Sequence, residues 1–440
     1  MIKIDKIQLH NFRFFIDEEA HNIFELNGQH MLVYGENGSG KSSLYKAFEL
    51  LATPSIEESE FNTNKNIFNL EHDTYLEFNF NNEETLRIDS DQLNLENNFS
   101  FIEKLSIPKP IMDYKSLLKV SYSIEKEDKK NLYKFFEEIL SQYPVGNHKI
   151  LKNLKEEQSD NYFTMFESIL KEELFDSINI FLEQFDQKFK LTEINFNFGF
   201  QKVNLEIEYF DNKIEEYQNF LNEARLSALA MSIYFAIIKK QFDKLEANSL
   251  KILVLDDLLI SLDMNNRLNL IDILKTEFSD FQIFFFTHDK GFFEILKDKM
   301  SWKAYEIYVD THQEGFEIPF VKQSNTLIEQ AKFQKHQNNY DCSANLLRQF
   351  TEKLLCNFLP ADKLVNKNCK QLDLNGLLQN AISFENRKEN TNQDIISILE
   401  DLQTYRNTVL NPASHYDTRN IYKTELEKII VSLEYFESNS

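Results

Sequence analysis

A chain of 440 residues holding 40 Phe and 18 Tyr carries bulky material for a sizeable core, enough for two or three domains. Its 71 acidic and 48 basic side chains leave a net charge of −23, which repels nucleic-acid phosphates over most of the surface. Any such contact is thereby restricted to a local basic patch, a partner or a groove formed on oligomerisation. The cysteines Cys342, Cys356 and Cys369 form no CxxC pair, residues 1–6 lack the apolar core of a signal peptide, and no apolar run approaches bilayer length. The chain therefore reads as cytoplasmic, with no membrane partner.

Residues 2–9 alternate apolar and polar and predict a strand; a second extended stretch precedes Gly28, and the apolar run Met31-Leu32-Val33-Tyr34 predicts a third. Next comes Gly35-Glu36-Asn37-Gly38-Ser39-Gly40-Lys41-Ser42-Ser43, followed by a helical pattern from Leu44. Strand, glycine-rich turn and helix is the context of a phosphate-binding P-loop. The glycines let successive N–H groups turn inward around an anion, and the helix N-terminus adds its positive dipole end. Lys41 reaches the β- and γ-phosphates of a nucleotide in such a loop, and the Ser42 hydroxyl holds Mg²⁺.

After this helix, residues 53–69 read as a polar loop, and 75–80 with 85–88 as a β-hairpin about Asn81-Asn82. Residues 108–190 turn helical, with Phe135-Phe136, Ile139-Leu140, Ile169-Leu170 and Phe181-Leu182 at helical spacing. This insertion is far too short for a long coiled-coil arm. Strand alternation returns over 193–198 and 203–209, then a helix begins near Asn222 and runs through Ile237. The apolar strand Ile252-Leu253-Val254-Leu255 ends in Asp256-Asp257, a helix spans about 267–278, and the strand 282–287 ends in His288-Asp289. Buried strands alternating with helices predict a largely parallel sheet, to which 302–309 adds one more strand. Beyond about Gln323 the pattern is helical, over 327–358, 374–382, 394–405 and 421–436.

Asp256 at a strand end has the form of a Walker B carboxylate holding Mg²⁺ through water. Asp257 beside it is placed to orient or deprotonate an attacking water. Ser261-Leu262-Asp263 looks like a D-loop, His288 like a switch histidine contacting the γ-phosphate, and Leu221-Asn222-Glu223-Ala224-Arg225 like a degenerate signature motif at a helix start. Taken singly, each has a plain reading: solvated carboxylates at a strand end, a structural histidine, an Asn helix cap. In this order they resemble the SMC/RecF-like branch of ABC ATPases over roughly residues 1–320. The opening Ile7-Gln8-Leu9-His10-Asn11-Phe12-Arg13 matches that branch's first strand, where the arginine lies near the nucleotide.

The resemblance implies an α/β, ABC-type P-loop ATPase head with a mixed, mainly parallel sheet, a short helical insertion and an all-α C-terminal domain. Its parts would be residues 1–107, 108–190, 191–322 and 323–440. It implies ATP and Mg²⁺ as cofactors. Arg13, residues 35–43, Asn222, Glu223 and Asp263 would bind nucleotide, Ser42 and Asp256 the metal, with Lys41, Asp257 and His288 catalytic. One P-loop and one signature per chain imply a homodimer, or a higher oligomer, with ATP sandwiched between heads.

Three departures stand out: Asn222 replaces the signature serine, Ala224 its glycine, and Asp257 the usual glutamate, one methylene longer, which favours slow turnover. Asp113-Tyr114-Lys115 is the candidate Q-loop. The short insertion, the Asp256-Asp257 pair and the helical tail look most like ATPase subunits of bacterial anti-phage systems of the Septu, PARIS and anticodon-nuclease-associated types. That likeness implies a regulatory ATPase that senses a phage-derived or nucleic-acid trigger and controls a separate nuclease or toxin effector. A RecF-like DNA repair or recombination ATPase is the second reading.

In the tail, Arg406-Asn407 with His415 resembles HEPN ribonucleases, which makes an ATPase-gated ribonuclease the third reading. The Arg-to-His spacing is longer than theirs and Pro412 interrupts it, so the same residues also read as a helix end capped by Ser414 or Asp417. There is no HExxH, GxSxG or Cys/His metal spacing.

Overall fold

The computed structural model describes residues 1–16, 22–70, 72–95, 100–103, 105, 110–121, 131–146, 149–214, 216–245, 249–258, 262–411 and 420–439. They divide into two compact units, Met1–Gln323 and Ser324–Ser440. Ser261 and the Pro412-to-Asp417 stretch with His415 lie outside the described residues.

In chain order the strands are β1 (Ile4–His10), β2 (Ile23–Glu25), β3 (Met31–Gly35), β4 (Tyr75–Phe80), β5 (Thr85–Ile88), β6 (Ile111–Asp113), β7 (Pro144–Gly146) and β8 (Lys149–Ile150). They continue with β9 (Phe189–Asn197), β10 (Lys202–Tyr209), β11 (Asn212–Ile214), β12 (Ile252–Asp256), β13 (Gln282–Thr287), β14 (Lys303–Thr311) and β15 (Glu317–Gln323). The central sheet runs β15-β14-β3-β13-β12-β6. All its pairings are parallel except β14 with β15, which are antiparallel. The uninterrupted apolar runs explain this: β3 and β13 are buried along their whole length, as strands covered on both faces must be.

A second sheet, β2-β1-β4-β5, is antiparallel and alternates. Leu76, Phe78 and Phe80 of β4 face inward, and a bulge between Ile4 and Lys6 lets Ile4 and Ile7 both be buried. The two sheets are tied at Gln282. Its Oε1 accepts from the Ile4 N–H (2.7 Å) while its Nε2 donates to the carbonyls of Ile4 and Gln29 (2.8 Å each). Helix Lys41–Leu51 packs between them, with Phe48 4.4 Å from Phe284 and 6.0 Å from Phe78 between ring centroids. A third sheet, β11-β10-β9, is antiparallel. Helix Glu223–Asp243 is apolar nearly all round and buries Leu226, Leu229, Ile233, Ile237 and Phe242, the mark of a helix enclosed by the core.

Several local readings need correction. The loop expected over 53–69 contains a short helix, Glu58–Asn62. The stretch 108–190 opens with a strand: β6 is too short for its period to show, yet it forms the sheet edge beside β12. That stretch also holds the small β7/β8 pair and the start of β9. The helix expected from Arg267 begins at Met264, because Asp263 caps it by accepting from the Asn266 N–H at 2.9 Å. β15 escaped the sequence reading, since Pro319 and the charged residues around it mask an edge strand.

The unit Ser324–Ser440 carries helices Leu327–His336, Tyr340–Phe358, Leu374–Glu385, Gln393–Tyr405 and Lys423–Asn439, and a π-helical turn, Arg406–Leu410. Where one long helix was expected over 327–358 there are two, parted at Asn338, whose φ of 58° stops the first. Thr326 and Glu329 form a capping box at its start, and Leu347, Leu378, Leu399, Leu426 and Leu433 build a core of its own.

Candidate nucleotide-binding site

The C-terminal ends of β3, β13 and β12, three adjacent parallel strands, deliver Gly35, Thr287 and Asp256 to one edge of the sheet. From β3 the chain turns through 36–40 into helix Lys41–Leu51. Gly38 and Gly40 take φ of 85° and 110°, values that a side chain resists, and a Cβ on Gly40 would sit 3.0 Å from Phe14 Cδ1. Glu36, Asn37, Gly38 and Ser42 are exposed, whereas Ser39, Lys41 and Ser43 are buried. Lys41 Nζ lies over the turn, donating to the Gly35 carbonyl at 2.6 Å and the Glu36 carbonyl at 3.3 Å. The Ser39 hydroxyl is buried with no hydrogen-bond partner among the described residues.

Lys41 Nζ also lies 3.9 Å from Asp257 Oδ2. The other Asp257 oxygen, Oδ1, accepts from the His288 backbone N–H at 2.9 Å and lies 2.8 Å from His288 Nδ1. Asp257 has φ of 50°, and its own N–H donates to Phe286 O at 3.0 Å. The carboxylate thus laces the ends of β12 and β13 together and reaches the P-loop lysine. With Nδ1 donating, Nε2 of a neutral His288 is an acceptor; it becomes a donor only in the imidazolium. Asp256 Oδ1 is buried without a partner among the described residues. Burial first, then the charge of Asp257, pushes the Asp256 carboxyl up to about 7, against the opposing pull of Lys41; Asp113 adds to the rise. Asp113 stands opposite Asp256 in register at the end of β6. Its Oδ1 accepts from the N–H and hydroxyl of Ser116 at 2.8 and 2.6 Å.

Arg13 sits in the turn after β1, itself exposed, with φ of 52°. Its N–H donates to Asn64 O at 2.7 Å, its guanidinium to Asn64 Oδ1 at 3.1 Å, and Asn66 Nδ2 donates to Arg13 O at 2.9 Å. Phe14 N–H reaches the Ser43 hydroxyl at 3.4 Å, joining this turn to the P-loop helix. Asn64 and Asn66 were missed from sequence, where they read as ordinary loop polars.

Asn222 and Glu223 are engaged elsewhere. Asn222 Oδ1 caps helix Glu223–Asp243 by accepting from the Arg225 N–H at 3.0 Å, and Glu223 Oε1 accepts from the Tyr114 hydroxyl at 2.9 Å. The candidate Q-loop and signature segments are thereby bonded to each other within one chain. Asp263 caps its helix, and the following Arg267 pairs with Asp289 at 2.5 Å. Burial would raise the Asp289 carboxyl, but the Phe292 N–H and Arg267 hold it below the usual range. In the second unit, the Arg406 guanidinium donates to its neighbour Asn407 Oδ1 at 3.2 and 2.7 Å.

The donor set fits Mg²⁺ and a nucleoside triphosphate. It offers a positive-φ glycine turn running into a helix start for phosphates, a buried ammonium above that turn, an orphaned hydroxyl at Ser39, and an orphaned carboxylate at Asp256 whose charge a cation would settle. Bound there, the group would bring a phosphoanhydride to be split by water. Asp257 would offer Oδ2 to a water while Oδ1 holds His288.

No family model matches the chain, and no curated protein matches it. Among solved structures, an SmcHead bound to the C-winged helix domain of ScpA aligns with a TM-score of 0.46 at 11% identity, over 74% of this chain and 99% of that one. An Smc head domain with an extended coiled coil, bound to the C-terminal domain of ScpA and derived from Pyrococcus furiosus, aligns with a TM-score of 0.44 at 14% identity, over 77% and 100%. The SMC head domain from Thermotoga maritima gives 0.39 at 11%, over 73% and 99%.

Proposed function

We propose that the chain is a Mg²⁺-dependent ATPase of the SMC/RecF-like ABC type that works as a homodimer, or a higher oligomer, with ATP held between heads. The observation that carries this is the meeting of Lys41, Asp257 and His288 at adjoining strand ends, with Asp256 beside them. Lys41 neutralises phosphate charge, Ser42 and Asp256 hold the metal, Asp257 orients water and accepts its proton, and His288 contacts the γ-phosphate. Arg13 lies near the nucleotide. Asn222, Glu223 and Asp263 serve the nucleotide on the opposite copy, a role for which Glu223 would have to exchange its bond to the Tyr114 hydroxyl. Phosphate release by the wild type, lost in Lys41→Ala, tests the activity. Light scattering tests the assembly: Asp257→Asn with ATP is expected to accumulate as a dimer, and an ATP-independent mass would sink that scheme.

Within this class we assign the chain as the regulatory ATPase of an anti-phage system, controlling a separate nuclease or toxin. The short insertion, the Asp256-Asp257 pair and the helical unit Ser324–Ser440 support it. Phage plating on bacteria expressing the chain with its neighbouring genes tests it. Protection is expected with wild type and not with Lys41→Ala, and equal plating on both would refute the role.

A further inference from the structure

A cavity of about 630 Å³ opens in the first unit, lined in part by Asp113, the register partner of Asp256. Its walls come from helix Lys41–Leu51, β6, helices Tyr114–Ser121 and Tyr133–Ile139, and helix Glu223–Asp243. That volume lies within the range of small-molecule sites, although the lining exposes more polar than apolar surface, unlike the mostly apolar walls usual for such sites. Ile111, Phe135, Ile139, Ile237 and Ile238 supply the apolar surface.

The charges decide what fits. Lys46 is taken by Glu49 and Glu60 (3.4 and 3.0 Å), and Lys119 by Glu138 (2.7 Å). Of the lining charges this leaves Lys115, which is exposed to water, and Asp113, which is not. Four lining carboxylates (Glu49, Glu60, Asp113, Glu138) face three lysines, so the wall is net negative, in a molecule already carrying −23. The half-buried Tyr45 hydroxyl, also on the wall, makes no hydrogen bond to the described residues. Its pKa is raised by burial and then by the negative potential of Asp113, Glu49 and Asp256.

We infer that this cavity binds an organic cation, an ammonium or guanidinium on an apolar or aromatic body, with the charge set against Asp113 and Tyr45. The cation pairs with the half-buried Asp113 carboxylate, and its body removes the isoleucine and phenylalanine surface from water. Tyr45 lies four residues after Lys41 on one helix, and Asp113 pairs in register with Asp256, so an occupant touches the two elements that carry the P-loop lysine and the strand-end acids. The site itself stands whether or not the chain hydrolyses ATP.

Isothermal titration of the full chain in metal-free buffer tests this, with 2-phenylethylguanidinium as probe and 3-phenylpropanoate as the same body with opposite charge. The guanidinium is expected to bind at least about tenfold more tightly than the carboxylate. Asp113→Asn should weaken it by about tenfold, and Ser141→Trp, filling the wall, should abolish it. Because Asp113 also caps the helix through Ser116, Glu49→Gln provides a second charge variant should Asp113→Asn lose its circular dichroism. Absence of binding, equal or tighter binding of the carboxylate, or affinities unmoved by the charge and wall variants would each overturn the assignment.

Discussion

At Gly35 the constraint is space. A Cβ there would lie 2.3 Å from Ser39 Oγ and 3.1 Å from both Ile307 O and Lys41 Cγ. Gly35→Ala must therefore displace Ser39 or the lysine stem, and we expect nucleotide affinity to fall by more than about tenfold, with a stability cost of about 1–3 kcal/mol. Adding Ser39→Gly removes the closest clash and should restore part of the binding. Fluorescent-nucleotide titration of the single and double variants decides it, and an unimpaired Gly35→Ala would show that the loop conformation differs from this one.

Asp256 sets a pH dependence. Its folded pKa of about 7 is above its unfolded value, so the native chain binds the extra proton. The associated stability is complete below about pH 4 and is lost as pH rises through 7. Asp256→Asn removes that loss and should raise the melting temperature of the metal-free chain at pH 8 but not at pH 4. Magnesium competes with the same proton, so its affinity should drop by up to about tenfold per unit as pH falls below 7, which titration at several pH values reads directly.

Among the elements, β13 does more than contribute apolar surface. Gln282, fully buried at its first position, bonds to β1 and to the carbonyl before β3. Gln282→Leu keeps the volume but leaves these backbone groups unpaired, and we expect a loss of about 2–4 kcal/mol in urea unfolding, seen also as faster amide exchange at Ile4. A loss below about 0.5 kcal/mol would mean that water replaces the side chain.

The contrast between β13 and β6 shows what the sequence could disclose. Runs of four and six consecutive buried residues before a charged end made β12 and β13 legible, as did the glycine spacing of the P-loop, because long buried parallel strands and positive-φ turns leave compositional traces. β6 has three residues, and its meaning comes from register with Asp256, which no window of sequence contains. The same holds for Gln282, for Asn64 and Asn66 under Arg13, and for the Tyr114–Glu223 bond, made across 109 residues. Long-range polar partners are chosen by the fold, and a lone Asn or Gln does not announce one.

For the whole molecule the decisive quantity is charge. Two copies at −23 each repel one another, and bound ATP adds further negative charge, so any association through nucleotide works against a long-range barrier. Salt screens that barrier: the Debye length is about 10 Å at 0.1 M and about 3 Å at 1 M. We therefore expect ATP-dependent dimerisation of Asp257→Asn to strengthen as potassium chloride rises from about 0.05 to 0.3 M, provided magnesium and nucleotide are saturating. Binding to duplex DNA has the opposite sign, since each phosphate contact releases counterions and the affinity falls steeply with salt. Sedimentation velocity of the variant across that salt series, alone and with a labelled duplex, separates the two. Salt-strengthened self-association without DNA binding supports a regulatory ATPase that acts through protein partners. A steep loss of DNA binding with salt would instead reveal a local basic groove, and the repair or recombination reading would then take precedence.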